Sequence, residues 1–552
     1  MGASRKRLGC WVSAARLYFF RRRWSIGPIH GSAPHGRDPS NLPRERPCER
    51  AVAMIQTKQK PARKVLFFEL NEAEKHFLEA FVAQGKLPNF ERMLSGGAFF
   101  RTRIPGFDPT VHKAWRTISP WMVWPSVYTG LLPTEHGIIG FGQDTSSIRG
   151  KCVWDVLDAH GVSTGVLGCL MSYPPRTSGA AAYYVPEALA DTSDCFPEAA
   201  RPLQEFCIFS ARNYSESFGM KAATAVKLLV KTGASGVRAG TMLKTLRQVP
   251  SEVLRGASAV PERAMLHSYM LRDAFWKLYD AYRPSYATVH MNHIAYMQHR
   301  YWRAAEPQHF AAELSVTDKR FFKTVAERDA YEARFSKWIE KAFVYADHFL
   351  GEILSRVDDD TVVLVGTGLG LRPFDPVSDI HNPVVRLVHE RELFDAIGLR
   401  DYEVLHQMNP DVTVNLPDEA TAIDAAAKLD GLFVVDSEPL FAVQRRGRQV
   451  FCELNMPKRT RTDEAFTIRH RALPAFQAPF ARHIHEHPTN DQSTAHHKDA
   501  GWFLSYCKGH KVQASTDVIR VTDIAPTILS LFGVPPQAWM PADSRIAFTV
   551  AS

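Results

Sequence analysis

Glu69 closes the apolar run KVLFFEL at 64–70. A carboxylate in that position is buried and needs a partner, which a salt bridge or a metal ion supplies equally well. His299 stands in YMQHRYW, where an imidazole is either a satisfied core group or a ligand. His496, His497, Lys498 and Asp499 gather two adjacent imidazoles and a carboxylate in four residues, the most suggestive cluster in the chain. HIHEHP holds His483, His485 and His487, which share a face if the segment is a strand and form only a polar run if it is a loop. His136 reads as a histidine packed in a turn. Asn71 and Glu72 read as caps of the following helix. The glycines of VGTGLGLRP, at 366, 368 and 370, are spaced GxGxG with no GK[ST] after them. They fit a remodelled turn better than a phosphate-cradling loop. That strand end also lacks any Asp, His, Cys or Lys, and offers only Thr367.

These residues must be positioned by alternating elements. KVLFFEL, YATVHM (286–291) and TVVLVG (361–366) read as strands buried on both faces. Between them, helical patterns end in glycine, as EAEKHFLEAFVAQG does at Gly85. Strands separated by helices imply an α/β fold: a doubly wound, mostly parallel sheet flanked by helices. Ligands in such folds bind beyond the carboxyl ends of the strands. The main domain is expected over 61–545, with a helical insertion or cap over 196–282.

The chain has 552 residues and a net charge of +9. Residues 1–53 hold eleven basic and three acidic groups, so residues 54–552 hold 56 basic against 55 acidic. The body is neutral and gives no electrostatic argument for nucleic acid. Residues 1–60 read as a basic disordered tail, or as sequence upstream of a true start at Met54. The eight cysteines are scattered without CxxC, a pattern of reduced thiols that implies a cytoplasmic protein. No apolar run approaches the ~20 residues of a membrane span. Oligomeric state is not legible.

The stretch SPWMVWPSVYTGLLPTEHGIIGF (119–141) has the order Thr-Gly, Pro, His-Gly-Ile. With FFELNEAE and GKLPNFERML before it and DVIRVTDIAPTILSLFGVPP near the C-terminus, it resembles the alkaline phosphatase superfamily, in its type I phosphodiesterase/nucleotide pyrophosphatase branch. The resemblance implies the alkaline phosphatase-like fold and a site for two metal ions, commonly zinc. It places the first metal-binding carboxylate at Glu69. The nucleophile position falls on Pro120, so that the adjacent Ser119 is the candidate nucleophile, with Thr117 nearby. HIAYMQHRYW carries the family's middle ligands and HHKDAGWFLSY its last, which implies His299 and His497 as metal ligands. Four expected groups are replaced: a phosphate-binding Asn by Val123, an Asp by Ala295, and an Asp-His pair by Thr367 and Gly368.

Two function classes follow. In one, Glu69, His299 and His497 converge on a single zinc with a position left for water, giving a noncanonical single-metal phosphoester or sulfate-ester hydrolase. In the other, no metal and no turnover survive, and the chain binds a small phosphorylated or sugar-like molecule or scaffolds a partner. On the first reading His497→Ala abolishes bound zinc and Thr367→Ala leaves it unchanged.

Overall fold

The computed structural model describes residues 64–105, 118–138, 145–176, 179–212, 222–314, 318–320, 322–374, 385–406, 411–434, 438–455, 466–486 and 494–551. The N-terminal tail and Thr117 lie outside them.

Ten strands matter for the site: β1 (Lys64–Leu70), β2 (Ala98–Arg103), β3 (Thr164–Leu167), β4 (Ala181–Val185), β5 (Tyr286–Met291), β6 (Thr361–Thr367), β7 (Gly370–Pro373), β8 (Ala495–Lys498), β9 (Ala500–Cys507) and β10 (Val518–Arg520). Eight of them form one sheet in the order β10-β2-β9-β6-β1-β5-β3-β4. Strand β1 pairs in parallel with both β5 and β6, and only β9 runs antiparallel to its neighbours. The fold is therefore α/β with a mostly parallel sheet. Strands β7 and β8 form a separate antiparallel pair, with His497 opposite Leu371.

Period-two alternation distributes the strand residues between two cores. Leu66, Phe68 and Leu70 enter one cluster with Val363 and Val365; Val65 and Phe67 enter the other with Val362 and Leu364. Helices α1 (Lys75–Ala83), α4 (His293–Ala305) and α5 (Trp338–Arg356) contribute to the first core. Helices α3 (Pro120–Thr129) and α6 (Ile524–Leu531) contribute to the second. Helix α2 (Pro88–Gly96) starts where LPN supplies proline in its first turn. Asp347 of α5 fastens that start, accepting from the Asn89 and Phe90 amides at 3.0 and 2.9 Å.

The described residues between 201 and 282 are predominantly helical, with longer helices at Arg201–Arg212, Ala222–Lys231, Ala239–Arg255 and Val260–Tyr282. A second body of chain, 387–484, has its own core, built from Leu393, Phe394, Val412, Val414, Leu429, Phe441 and Val450 among others. It contains a four-stranded antiparallel sheet, and sequence patterning gave no boundary for it. The six cysteines within the described residues are free and buried. Among the described residues, no helix is long and apolar enough to cross a membrane.

Candidate metal site

Strand β1 ends at Leu70, and the chain turns through Asn71 and Glu72 before α1 begins. Glu72 sits at φ +54°, left-handed for a residue with a Cβ. That conformation costs about 1–3 kcal/mol and persists only where the surroundings over-determine it. Here they do. Its N–H donates to Thr367 Oγ1 at 3.0 Å, and its carbonyl accepts from Gln298 Nε2 at 2.7 Å. Asn71 Nδ2 donates to Glu72 Oε1 at 3.2 Å, while Asn71 is itself held by Trp124 Nε1 at 2.8 Å.

The turn delivers the buried Glu72 carboxylate to two histidines. Glu72 Oε2 lies 2.7 Å from His299 Nε2 on α4, and Oε1 lies 3.2 Å from His497 Nε2 on β8. The two rings meet edge to face at 5.1 Å between centroids. Burial alone would raise the Glu72 carboxyl, but the charges of His497 and His299 outweigh it and hold it well below the usual range. For His299, burial acts downward, but the Glu72 charge, the hydrogen bond to Glu72 and the Ala495 carbonyl together outweigh it, so its imidazole is raised.

One donor atom from each of the three residues lies within 4.8 Å of the other two, so the group can hold a metal ion. The histidine tautomer agrees. His299 Nδ1 lies 3.2 Å from the Ala495 carbonyl and must donate to it, because both cannot accept. In the neutral ring Nε2 then carries a lone pair and faces a carboxylate oxygen at 2.7 Å. Two acceptors meet at that distance only with a proton or a cation between them. A backbone carbonyl that fixes the far nitrogen is the usual support of a metal-binding histidine.

Glu69 does not join this group. Its side chain points to the α3 face of the sheet, where Tyr128 Oη (2.6 Å) and His290 Nδ1 (2.8 Å) meet Oε2, and the Thr288 hydroxyl and Cys169 Sγ meet Oε1. The carboxylate that meets His299 and His497 is Glu72 and not Glu69, because alternation turns residue 69 away, while the left-handed turn brings residue 72 back.

The remaining expected positions are accounted for locally. Ala295 lies one turn before His299 on α4 and is buried. Thr367 Oγ1 is engaged twice, accepting from Glu72 and donating to the Leu369 carbonyl at 2.8 Å. A Cβ on Gly368 would meet Val123 Cγ1 at 2.6 Å, so Val123 and Gly368 pack into one another's space. A Cβ on Gly370 would meet Glu74 Oε2 at 2.6 Å. Glu74 in turn binds Lys498 Nζ at 2.7 Å and the Leu371 amide at 3.2 Å. The glycine-rich bend is closed by protein groups at these positions, which leaves no open phosphate cradle there.

Ser119 is the N-cap of α3, its hydroxyl accepting from the Trp121 amide at 3.2 Å. Asn71 and Glu72 do not cap α1; Glu74 does, accepting from the His76 amide at 3.3 Å. His136 is a turn histidine: Nδ1 accepts from the Ile138 amide at 3.0 Å, so Nε2 carries the proton toward Ser126 Oγ at 3.1 Å. Burial pulls its pKa down to about 4. Of the HHKD cluster, His497 and Lys498 turn to Glu72 and Glu74, His496 lies against Phe374, and Asp499 is exposed. His483 is buried; the side chains of His485 and His487 lie outside the described residues.

Phosphonoacetate hydrolase from Sinorhizobium meliloti 1021, in complex with phosphonoformate, is 15% identical, over 85% of this chain and 95% of its own, with a TM-score of 0.33. Murine ectonucleotide pyrophosphatase/phosphodiesterase 5 is 10% identical over 86% and 96%, with a TM-score of 0.30. No curated protein matches the sequence. The model of the type I phosphodiesterase/nucleotide pyrophosphatase family matches residues 74–368, more than half of the chain, and the chain belongs to that family.

Proposed function

We propose that this chain is a single-metal phosphoester or sulfate-ester hydrolase in which Glu72, His299 and His497 hold one zinc ion. The observation that carries the reading is the convergence of those three donors within 4.8 Å. Two imidazoles and one carboxylate are a known catalytic zinc set, and zinc held so lowers the pKa of water and polarises a phosphoryl or sulfuryl oxygen. Glu72 balances the charge, and Ala495 and Thr367 fix the donors before any ligand arrives. A second dication lacks ligands, because the Thr367 hydroxyl is already bonded and Gly368 has no side chain. The phosphoester class follows from the family; a small phosphorylated molecule is the ligand expected.

A second reading has its own observations. Ser119 is spent on a helix cap, and the Val123–Gly368 contact fills the neighbouring space. These favour a degenerate member that binds a phosphorylated or sugar-like molecule without turning it over. Elemental analysis and hydrolysis of an activated phosphodiester separate the two. One equivalent of zinc, with turnover lost in both Glu72→Ala and His497→Ala, supports the hydrolase. No metal and no turnover supports the degenerate binder, and two tightly held metals contradict both.

A further inference from the structure

Helix Ala239–Arg255 is inverted. The side it buries is largely polar: Thr241, Thr245 and Gln248. Thr241 Oγ1 donates to Asp273 at 2.6 Å, Thr245 to the Thr241 carbonyl at 2.9 Å, and Gln248 Nε2 to the Ala259 carbonyl at 2.6 Å. The side it exposes is aliphatic: Leu243 (47% exposed), Leu246, Val253 (82%) and Leu254 (83%). Steps of three, seven and one place these on one stripe of the helix, with exposed Pro250 between them. Helix Ala222–Lys231 adds Val226 and Val230, the latter 59% exposed, four residues apart on its own outer face.

The charge around these side chains leans basic, although Lys231, Arg238 and Arg255 pair with Glu205 (3.9 Å), Asp273 (3.4 Å) and Glu262 (3.0 Å) of neighbouring segments. Residues 222–256 contain six basic groups, Lys227, Lys231, Arg238, Lys244, Arg247 and Arg255, and one acidic group, Glu252. The rest of residues 54–552 then holds 50 basic against 54 acidic groups, so basic residues are concentrated in this segment, with Lys227, Lys244 and Arg247 exposed on it. Glu252 is turned inward, bonded to Gln248 at 2.8 Å and paired with Arg263 at 3.2 Å. Exposed aliphatic side chains interleaved with the exposed cations Lys227, Lys244 and Arg247 match a surface that is apolar beneath and negative above. That is the interface of an anionic lipid bilayer.

We infer that helices Ala222–Lys231 and Ala239–Arg255 form a peripheral docking surface for membranes of anionic phospholipid. The aliphatic stripe enters the acyl boundary and the lysines and arginines lie at the headgroups. Among the described residues, no helix is long and apolar enough to span the bilayer.

Co-sedimentation of the full chain with vesicles of phosphatidylcholine, alone or mixed with phosphatidylserine, tests this. Binding to the mixed vesicles is expected to exceed that to the neutral ones by about tenfold or more and to weaken in high salt. Leu246→Glu with Val253→Glu, and separately Lys227→Glu with Arg247→Glu, are each expected to cut it about tenfold. Every substituted side chain is exposed, so the thermal transition is expected to stay in place, which separates lost docking from misfolding. The arginines of the N-terminal tail remain in all variants. Binding that survives both pairs of substitutions would belong to that tail and overturn the assignment. So would a dimer, seen by light scattering, that the same substitutions dissociate while vesicle binding is unchanged.

Discussion

Glu72 and Glu69 are three residues apart and do different work. Glu69 is saturated by hydrogen bonds from four side chains in a dry environment. Glu69→Gln strands some of those partners, and a loss of about 2–4 kcal/mol in unfolding free energy is expected, with zinc stoichiometry unchanged. Glu72→Ala is expected to do the reverse, abolishing bound zinc at a smaller cost in stability. Zinc lost from the Glu69 variant but kept in the Glu72 variant would restore Glu69 as the ligand. Thr367 belongs with Glu72. The sequence suggested that it is dispensable for metal, but its hydroxyl accepts the Glu72 amide and so helps to hold the left-handed turn. Thr367→Val keeps the volume and removes the acceptor, and zinc affinity is expected to fall about tenfold or more, as when other supports of metal ligands are removed. Unchanged affinity in a competition titration would show that Gln298 and Asn71 fix the turn unaided.

Elements explain why some of this was legible. Strands β1, β5 and β6 lie in the sheet interior, buried on both faces, so each reads as an unbroken apolar run. His299 and His497 lie within motifs whose order along the chain marks them out. Glu72 lies beyond the last strand residue, where neither period two nor period 3.6 applies. Its direction is set by a backbone angle that favours glycine, and no pattern in side-chain types announces it. The 387–484 body was equally hidden, because its short antiparallel strands and short helices give no run as strong as β1. At the element contact between α3 and the end of β6, the sequence showed two losses, Val123 and Gly368, and the structure shows one contact. Gly368→Ala alone is expected to cost about 1–3 kcal/mol through overpacking against Val123. In a Val123→Ala background the same change is expected to cost under about 1 kcal/mol, giving a clear coupling in a double-mutant cycle. Additive costs would mean that Val127, whose Cγ2 would lie 3.1 Å from the same Cβ, or the turn itself, and not Val123, excludes a side chain at 368. The same contact argues against rebuilding the Asp-His pair at 367–368 without first shortening residue 123.

Over the whole molecule, buried titratable groups outside the candidate metal site also shape how stability answers pH. His293 is buried at the start of α4 between Ser268 Oγ (3.0 Å) and the Ala342 carbonyl (3.2 Å), and burial lowers its pKa to about 4. His136 is lowered to about 4 by burial, and His267 to about 4 by burial and the charge of His290. An unfolded chain protonates each near pH 6.5. Between those values the unfolded state binds more protons, so these histidines leave stability intact above pH 6.5 and erode it as pH falls toward 4. Glu187 works in the opposite sense. Burial raises it to about 7 although Ser172 and Tyr173 donate to its carboxylate. Its contribution is intact below its unfolded value near 4.5 and is lost as pH rises through 7. The two effects can be separated by substitution. His293→Gln is expected to reduce the stability lost between pH 6.5 and 4.5 by about 2–3 kcal/mol, from one proton fewer taken up on unfolding. Glu187→Gln, which keeps an acceptor for the Ser172 and Tyr173 amides, is expected to steepen the loss from pH 7 to 4.5 by about 3 kcal/mol, because it removes the only one of these four groups that opposes acid unfolding. Urea titrations at the two ends of each window measure both differences. A Glu187→Gln variant whose pH profile runs parallel to that of the native chain would mean that the carboxyl is already ionised at pH 4.5 in the folded state, held so by the three hydrogen bonds of Ser172 and Tyr173.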